Sequence, residues 1–231
     1  MAAQSFCDLQ ASLLLESQMA FQTAHDQTLL SSVVVNSDLP CFEVAPETEL
    51  TFTLRYRNQE SASFVLGAMV HFDGQLIVRY EQDGSPSMFL DADVLRPQPG
   101  DPAQDEYGDH LPHGTNPHVT FVGHVTAIPL QSEDCRVFTI SMHVYHRLPD
   151  AQPGQNFVDF DIHCCLPSNT RWINTPTPRL GRGILVSGRV VGLFQHNGRR
   201  SPIIAVSRLG FLNTTTPMPP APIQANPATP S

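Results

Sequence analysis

GILVSGRVVGLFQHNGRRSPIIAVSRLGFL, residues 183–212, holds two β-like runs, Ile184–Phe194 and Ile203–Leu212, on either side of Asn197-Gly198. Asn-Gly accepts positive φ at both turn centres, the geometry of a tight hairpin. Gly188 falls mid-run, where a glycine marks a bulge or sharp coil. Arg199 and Arg200 follow the turn. The stretch reads as the closing hairpin of a small barrel with a basic tip.

Three more runs precede it. His118–Ile128 carries Gly123 in its middle. Arg136–His146 sets Phe138, Ile140, Met142 and Val144 on one face. Asn156–Cys165 does the same with Val158, Phe160, Ile162 and Cys164. The segment Leu166–Arg182 then breaks the pattern with Pro167, Pro176, Pro178 and Gly181 around Trp172. The order is three strands, a non-strand segment and two strands. Alternation of this kind gives a barrel wall its inner and outer faces.

Outside residues 116–213 the chain reads differently. Ser5, three residues before Asp8, and the spacing of Phe6, Leu9 and Leu13 predict a helix from Ser5 to about Gln22, within a helical segment 1–31. Residues 32–95 are β-rich without a legible topology. Val33–Val35, Leu50–Arg57, Phe64–Phe72, Gln75–Tyr80 and Ser87–Leu95 are the candidate strands, with Asp73-Gly74 read as a hairpin turn. Residues 96–115 read as an acidic Pro/Gly linker. Residues 214–231, uncharged and with six prolines, read as a disordered tail.

Charge divides the chain. All 13 basic residues are Arg, and the formal net charge is −9. Residues 1–115 carry 17 acidic and 4 basic groups, whereas residues 116–213 carry 5 and 9. A mildly basic domain joined to an acidic half fits a screened anion-binding surface, or simply two solvated surfaces. Five cysteines, an odd number with Cys164 and Cys165 adjacent, make no secreted disulfide framework. The N-terminus lacks a basic stretch, and no apolar run is long enough to span a membrane. An intracellular location, nuclear or cytoplasmic, is expected.

The strand order and the runs VTFVGHV, VFTISMHVYH, NFVDFDIHC, ILVSGRVVGLF and IIAVSRLGFL resemble the OB-fold of single-stranded DNA-binding proteins of the bacterial SSB and replication protein A type. The resemblance covers residues 116–213. It implies an all-β chain: a five-stranded Greek-key barrel with an added N-terminal β-rich region and a short N-terminal helix. It further implies a single-stranded nucleic acid partner, probed by aromatic stacking and Arg–phosphate contacts. The residues in position for this are Tyr145, Arg147, Phe157, Arg171, Trp172, Arg189, Arg199 and Arg200. Arginine suits the role because its planar fork both stacks and binds phosphate.

Five of these have a plainer reading. Tyr145 and Phe157 would be covered if the N-terminal strands pack on them. Trp172 would plug the core, and the Arg199-Arg200 pair would only solubilise a turn. Asp159 and Asp161, on the same outward face, oppose phosphate binding. With His143 and His163 they also form a weak metal-site pattern, the mark of a nuclease. A Lys-dependent phosphate loop is impossible without Lys, and no catalytic constellation is visible. The expected function is thus non-enzymatic strand binding with no cofactor or metal. The acidic half would temper affinity or hold a protein partner. The other reading is a protein-interaction module whose barrel face is covered by its own N-terminal strands or a partner.

Overall fold

The computed structural model of the chain describes residues 5–23, 26–39, 44–57, 64–104, 106–107, 116–146 and 156–212. Ten strands follow one another: β1 (Phe6–Thr23), β2 (Asp26–Asn36), β3 (Glu47–Arg57), β4 (Met69–Tyr80), β5 (Pro86–Pro97), β6 (His118–Gln131), β7 (Cys135–Tyr145), β8 (Phe157–Pro167), β9 (Gly183–His196) and β10 (Arg199–Phe211). The described residues contain no α-helix. The expected N-terminal helix is therefore overturned. Cys7, Leu9, Ala11, Leu13 and Leu15 alternate inward as buried residues, while Phe6, Asp8, Gln10, Leu14 and Glu16 face out. A period of two satisfies this stretch better than a period near four once a sheet is there to receive it.

The strands close two circuits of identical order. β1 pairs β2, β2 pairs β3, β3 runs parallel to β5, β5 pairs β4 and β4 returns to β1. The second circuit repeats this as β6, β7, β8, β10 and β9, with β8–β10 as the parallel step. Each is a five-stranded OB-fold barrel. The β-rich region without a legible topology is therefore a barrel of the same kind as the one read from residues 116–213.

Local chemistry explains one expected turn and the absence of another. Asn197 and Gly198 have φ of 51° and 76°, as the β9–β10 hairpin demands. Asp73-Gly74, expected to turn, lies within continuous β4, at a register shift opposite β5. A Cβ on Gly74 would overlap the Asp91 carbonyl oxygen, so this glycine permits a close strand approach instead of a reversal. The stretch expected to be a linker begins as strand to Pro97. Further on, Tyr107 is buried and its hydroxyl accepts the Met69 N–H at 2.9 Å.

One strand belongs to both barrels. β6 pairs β9 over His118–His124 and β7 only from His124 onward. The other edge of its first half would carry unpaired backbone groups. The start of β1 fills that edge: Phe6–Gln10 pair with Val122–His118, while Asp8–Leu14 pair with β4. Ser5 continues across to β7 as a parallel bridge with Val144. Accordingly, one apolar cluster holds Cys7 and Leu9 together with Phe52 and Phe72 of the first barrel and Phe121, Phe138 and Phe160 of the second.

The first barrel also leans on the outer wall of the second. Val44 and Leu39, between β2 and β3, pack with Val137, Cys165, Val191, Phe194 and Ile203 in a second apolar cluster. From β4, the Tyr80 hydroxyl shares a 2.6 Å hydrogen bond with Ser201 and accepts the Asp161 N–H at 3.2 Å.

Candidate nucleic-acid interface

The outer wall of β7 and β8 is half covered and half open. Pairing sets Tyr145 opposite Phe157, His143 opposite Asp159, Ser141 opposite Asp161 and Thr139 opposite His163. Toward the end of β8, Cys165 is buried in the cluster just described and His163 is buried beside Phe194. At its start, Phe157 is 47% exposed. Its ring stacks flat on His143, with centroids 4.6 Å apart and planes at 1°. Tyr145 meets the same ring edge-on at 5.5 Å. Asp159 accepts from His143 Nδ1 at 2.7 Å, which sets the imidazole plane parallel to the phenyl ring. The result is a cluster of three aromatic rings at an open wall end, one phenyl ring half free.

The two aspartates differ. Asp159 is engaged with His143 and otherwise open, its side chain 77% exposed. Asp161 is half-buried, and burial pushes its carboxyl above the usual range despite the Ser141 hydroxyl and Arg199 nearby. His163 has Thr139 Oγ1 on Nδ1 at 3.0 Å and the Phe194 ring edge at 4.9 Å. Burial, aided by His196, lowers it to about 4, so it is neutral at physiological pH. Among the described residues no group of three or more His, Cys, Asp or Glu is arranged to hold a metal ion.

The arginines and Trp172 fall in other places. Arg199 lies over the Tyr80 ring at 5.0 Å, and Arg200 N–H donates to the Gly84 carbonyl at 3.1 Å. The basic hairpin tip is thus docked on the β4–β5 turn of the first barrel, with both side chains exposed. Arg171, Trp172 and Arg189 line a separate cleft of about 630 Å³ with Asp38, Asp134 and Asn169. Trp172 itself is only 7% exposed and packs in the main core. Its carbonyl and that of Thr175 both accept from Arg136. Arg171 stacks on the Trp172 ring at 5.0 Å, and Arg189 is paired with Asp38 at 3.3 Å. Arg147 lies outside the described residues, as does the tail from Thr214.

The seven expected residues that the structure describes therefore do not share one surface. Tyr145 and Phe157 come together at the open wall end, Arg199 and Arg200 at the docked tip, and Arg171, Trp172 and Arg189 around the cleft. His143 and Tyr80 were missed as site builders. His143 was legible as an outward neighbour of Tyr145, two residues away on one strand face. Tyr80 was not, because its partners lie more than 80 residues away in sequence.

No protein-family model and no curated protein matches the sequence. Several solved structures match over nearly the whole chain. The wild-type single-stranded DNA binding protein from Thermus aquaticus is 16% identical, with a TM-score of 0.50, covering 97% of this chain and 98% of that one. A deletion and substitution mutant of the same protein is 14% identical, also at 0.50, covering 97% and 99%. Fission yeast Pot1 with ssDNA aligns at 10% identity and a TM-score of 0.28, covering 94% of this chain and 87% of that one. The likeness to the Thermus aquaticus protein takes in both barrels, where the sequence resemblance reached only the second, and at these identities it shows the fold alone, two OB-fold barrels in one chain.

Proposed function

We propose that the chain binds single-stranded nucleic acid, DNA foremost, without catalysing a reaction. The observation that carries this is the His143–Phe157–Tyr145 cluster at the open end of the β7–β8 wall. Stacking on such a platform is worth about 1–3 kcal/mol per base and tolerates any sequence. The exposed guanidinium groups of Arg199 and Arg200 would meet phosphates, and the acidic first barrel would temper the attraction. The similar Thermus aquaticus structures are of a protein named for binding single-stranded DNA, which agrees with the reading.

A second reading has its own support. Val44, Leu39 and Tyr80 of the first barrel already cover half of the wall. That is how a barrel used as a protein-interaction module would be built. Fluorescence anisotropy of the full chain with labelled single strands separates the two. Strand binding predicts that Tyr145→Ala or Phe157→Ala weakens affinity at every salt concentration. It also predicts that replacing Arg199 and Arg200 with Ala flattens the salt slope by about 0.7 per lost phosphate contact. No binding of any strand at low salt would leave the interaction module standing.

A further inference from the structure

The open wall end is built from β7 and β8, yet a third strand reaches it. Ser5 N–H donates to the His143 carbonyl at 3.0 Å, and Ser5 bridges Val144 in parallel. Parallel neighbours stay in step, and successive side chains alternate between faces. Ser5 and Val144 are both buried and face inward. Carried one step further, that register sets Phe6 beside Tyr145, both at outward positions of their strands. Phe6 is 40% exposed, followed on the same face by the polar Asp8, Gln10 and Ser12. A lone exposed apolar side chain needs no explanation. The Ser5–Val144 bridge, extended by one residue, carries this one toward a row of rings: Tyr145 against Phe157, and Phe157 against His143.

We propose that Phe6 is a further stacking position for a nucleic-acid base, so that the platform runs Phe6, Tyr145, Phe157 across β1, β7 and β8. The inference rests on the strand-binding reading above. A phenyl ring brings a face that any base can stack on, without a charge to repel phosphate. It comes from the strand that also builds the first barrel, so the site is not complete in residues 116–213 alone.

The test uses the full chain. Phe6→Ala and Phe6→Leu should each weaken binding of a short labelled oligo(dT) by about 5- to 100-fold, the leucine keeping apolar bulk but no ring. Phe6→Trp should bind at least as well as the natural chain. Its new indole should lose emission when oligo(dT) is added, against the constant background of the buried Trp172, which a strand cannot stack on. Leu14→Trp, on the same strand and face but away from the rings, should respond far less. Unchanged affinity for Phe6→Leu, or equal quenching at both positions, overturns the inference while leaving the strand-binding reading intact. A natural chain that binds no oligo(dT) overturns both.

Discussion

The two barrels share strand order, parallel closing step and connection pattern, but not the use of the wall made by their second and third strands. In the first barrel the outward residues of β2 and β3 include Leu30, Val34, Glu49, Thr51 and Thr53, with no ring among the described outward positions. In the second, the corresponding strands present His143, Tyr145 and Phe157 at one end, and the first barrel itself covers the other. Identical topology thus leaves one wall plain and makes the other a candidate platform. A binding face is a property of outward side chains and of what else in the molecule leans on them, not of the fold.

The comparison breaks first if the barrels are separable. Leu9, fully buried on the shared strand, sits in the cluster that joins both interiors. Leu9→Ala should cost about 2–5 kcal/mol, lowering the melting temperature by about 4–20 °C. Calorimetry should still show a single transition. A variant that melts in two steps, one of them at the original temperature, would show that each barrel holds itself together.

Acid should sharpen it next. Among the described residues the first barrel buries no histidine, whereas the second buries His146 and His163. An unfolded imidazole takes a proton near 6.5, while His163 does so at about 4 in the fold. Between those values the unfolded chain holds more protons, so stability falls as the pH drops from 6.5 to 4, by about 3 kcal/mol. Above 6.5 this histidine adds no further dependence. The raised carboxyl of Asp161 acts in the opposite sense and offsets part of the loss, since the fold favours its neutral form. Urea titrations of the natural chain and of His163→Gln across this range should differ in slope. Parallel curves would remove His163 from the account.

The smallest effect concerns the joint. Tyr80→Phe keeps the ring beneath Arg199 but deletes the hydroxyl shared by Ser201 and Asp161. The loss should be about 1 kcal/mol in denaturant unfolding. No change would mean that the barrels are held by their apolar contacts alone.

Alternation of side chains along residues 118–211, together with Asn197-Gly198, was enough to place the strands of the second barrel, because period-two burial and a positive-φ turn are local properties, while their closure into an OB-fold was implied by the family resemblance. Tyr145 and Phe157 were legible as outward residues for the same reason. The first barrel was not. In FCDLQASLLLE, Phe6, Leu9 and Leu13 satisfy a helical spacing while Cys7, Leu9, Ala11, Leu13 and Leu15 satisfy a strand, and only pairing with β4 and β6 decides between them. Gly74 looks like a turn until the Asp91 backbone is brought against it. In the sequence Arg171, Arg189 and Arg199 read as parts of one basic groove. Their separation into a cleft and a docked tip follows from Asp38 and Tyr80, residues of the other barrel. The chain's own alternation wrote the strands, and long-range pairing chose which of them to share and which outer face to leave open, because a sheet edge or an apolar wall can be satisfied only by whatever segment reaches it in space.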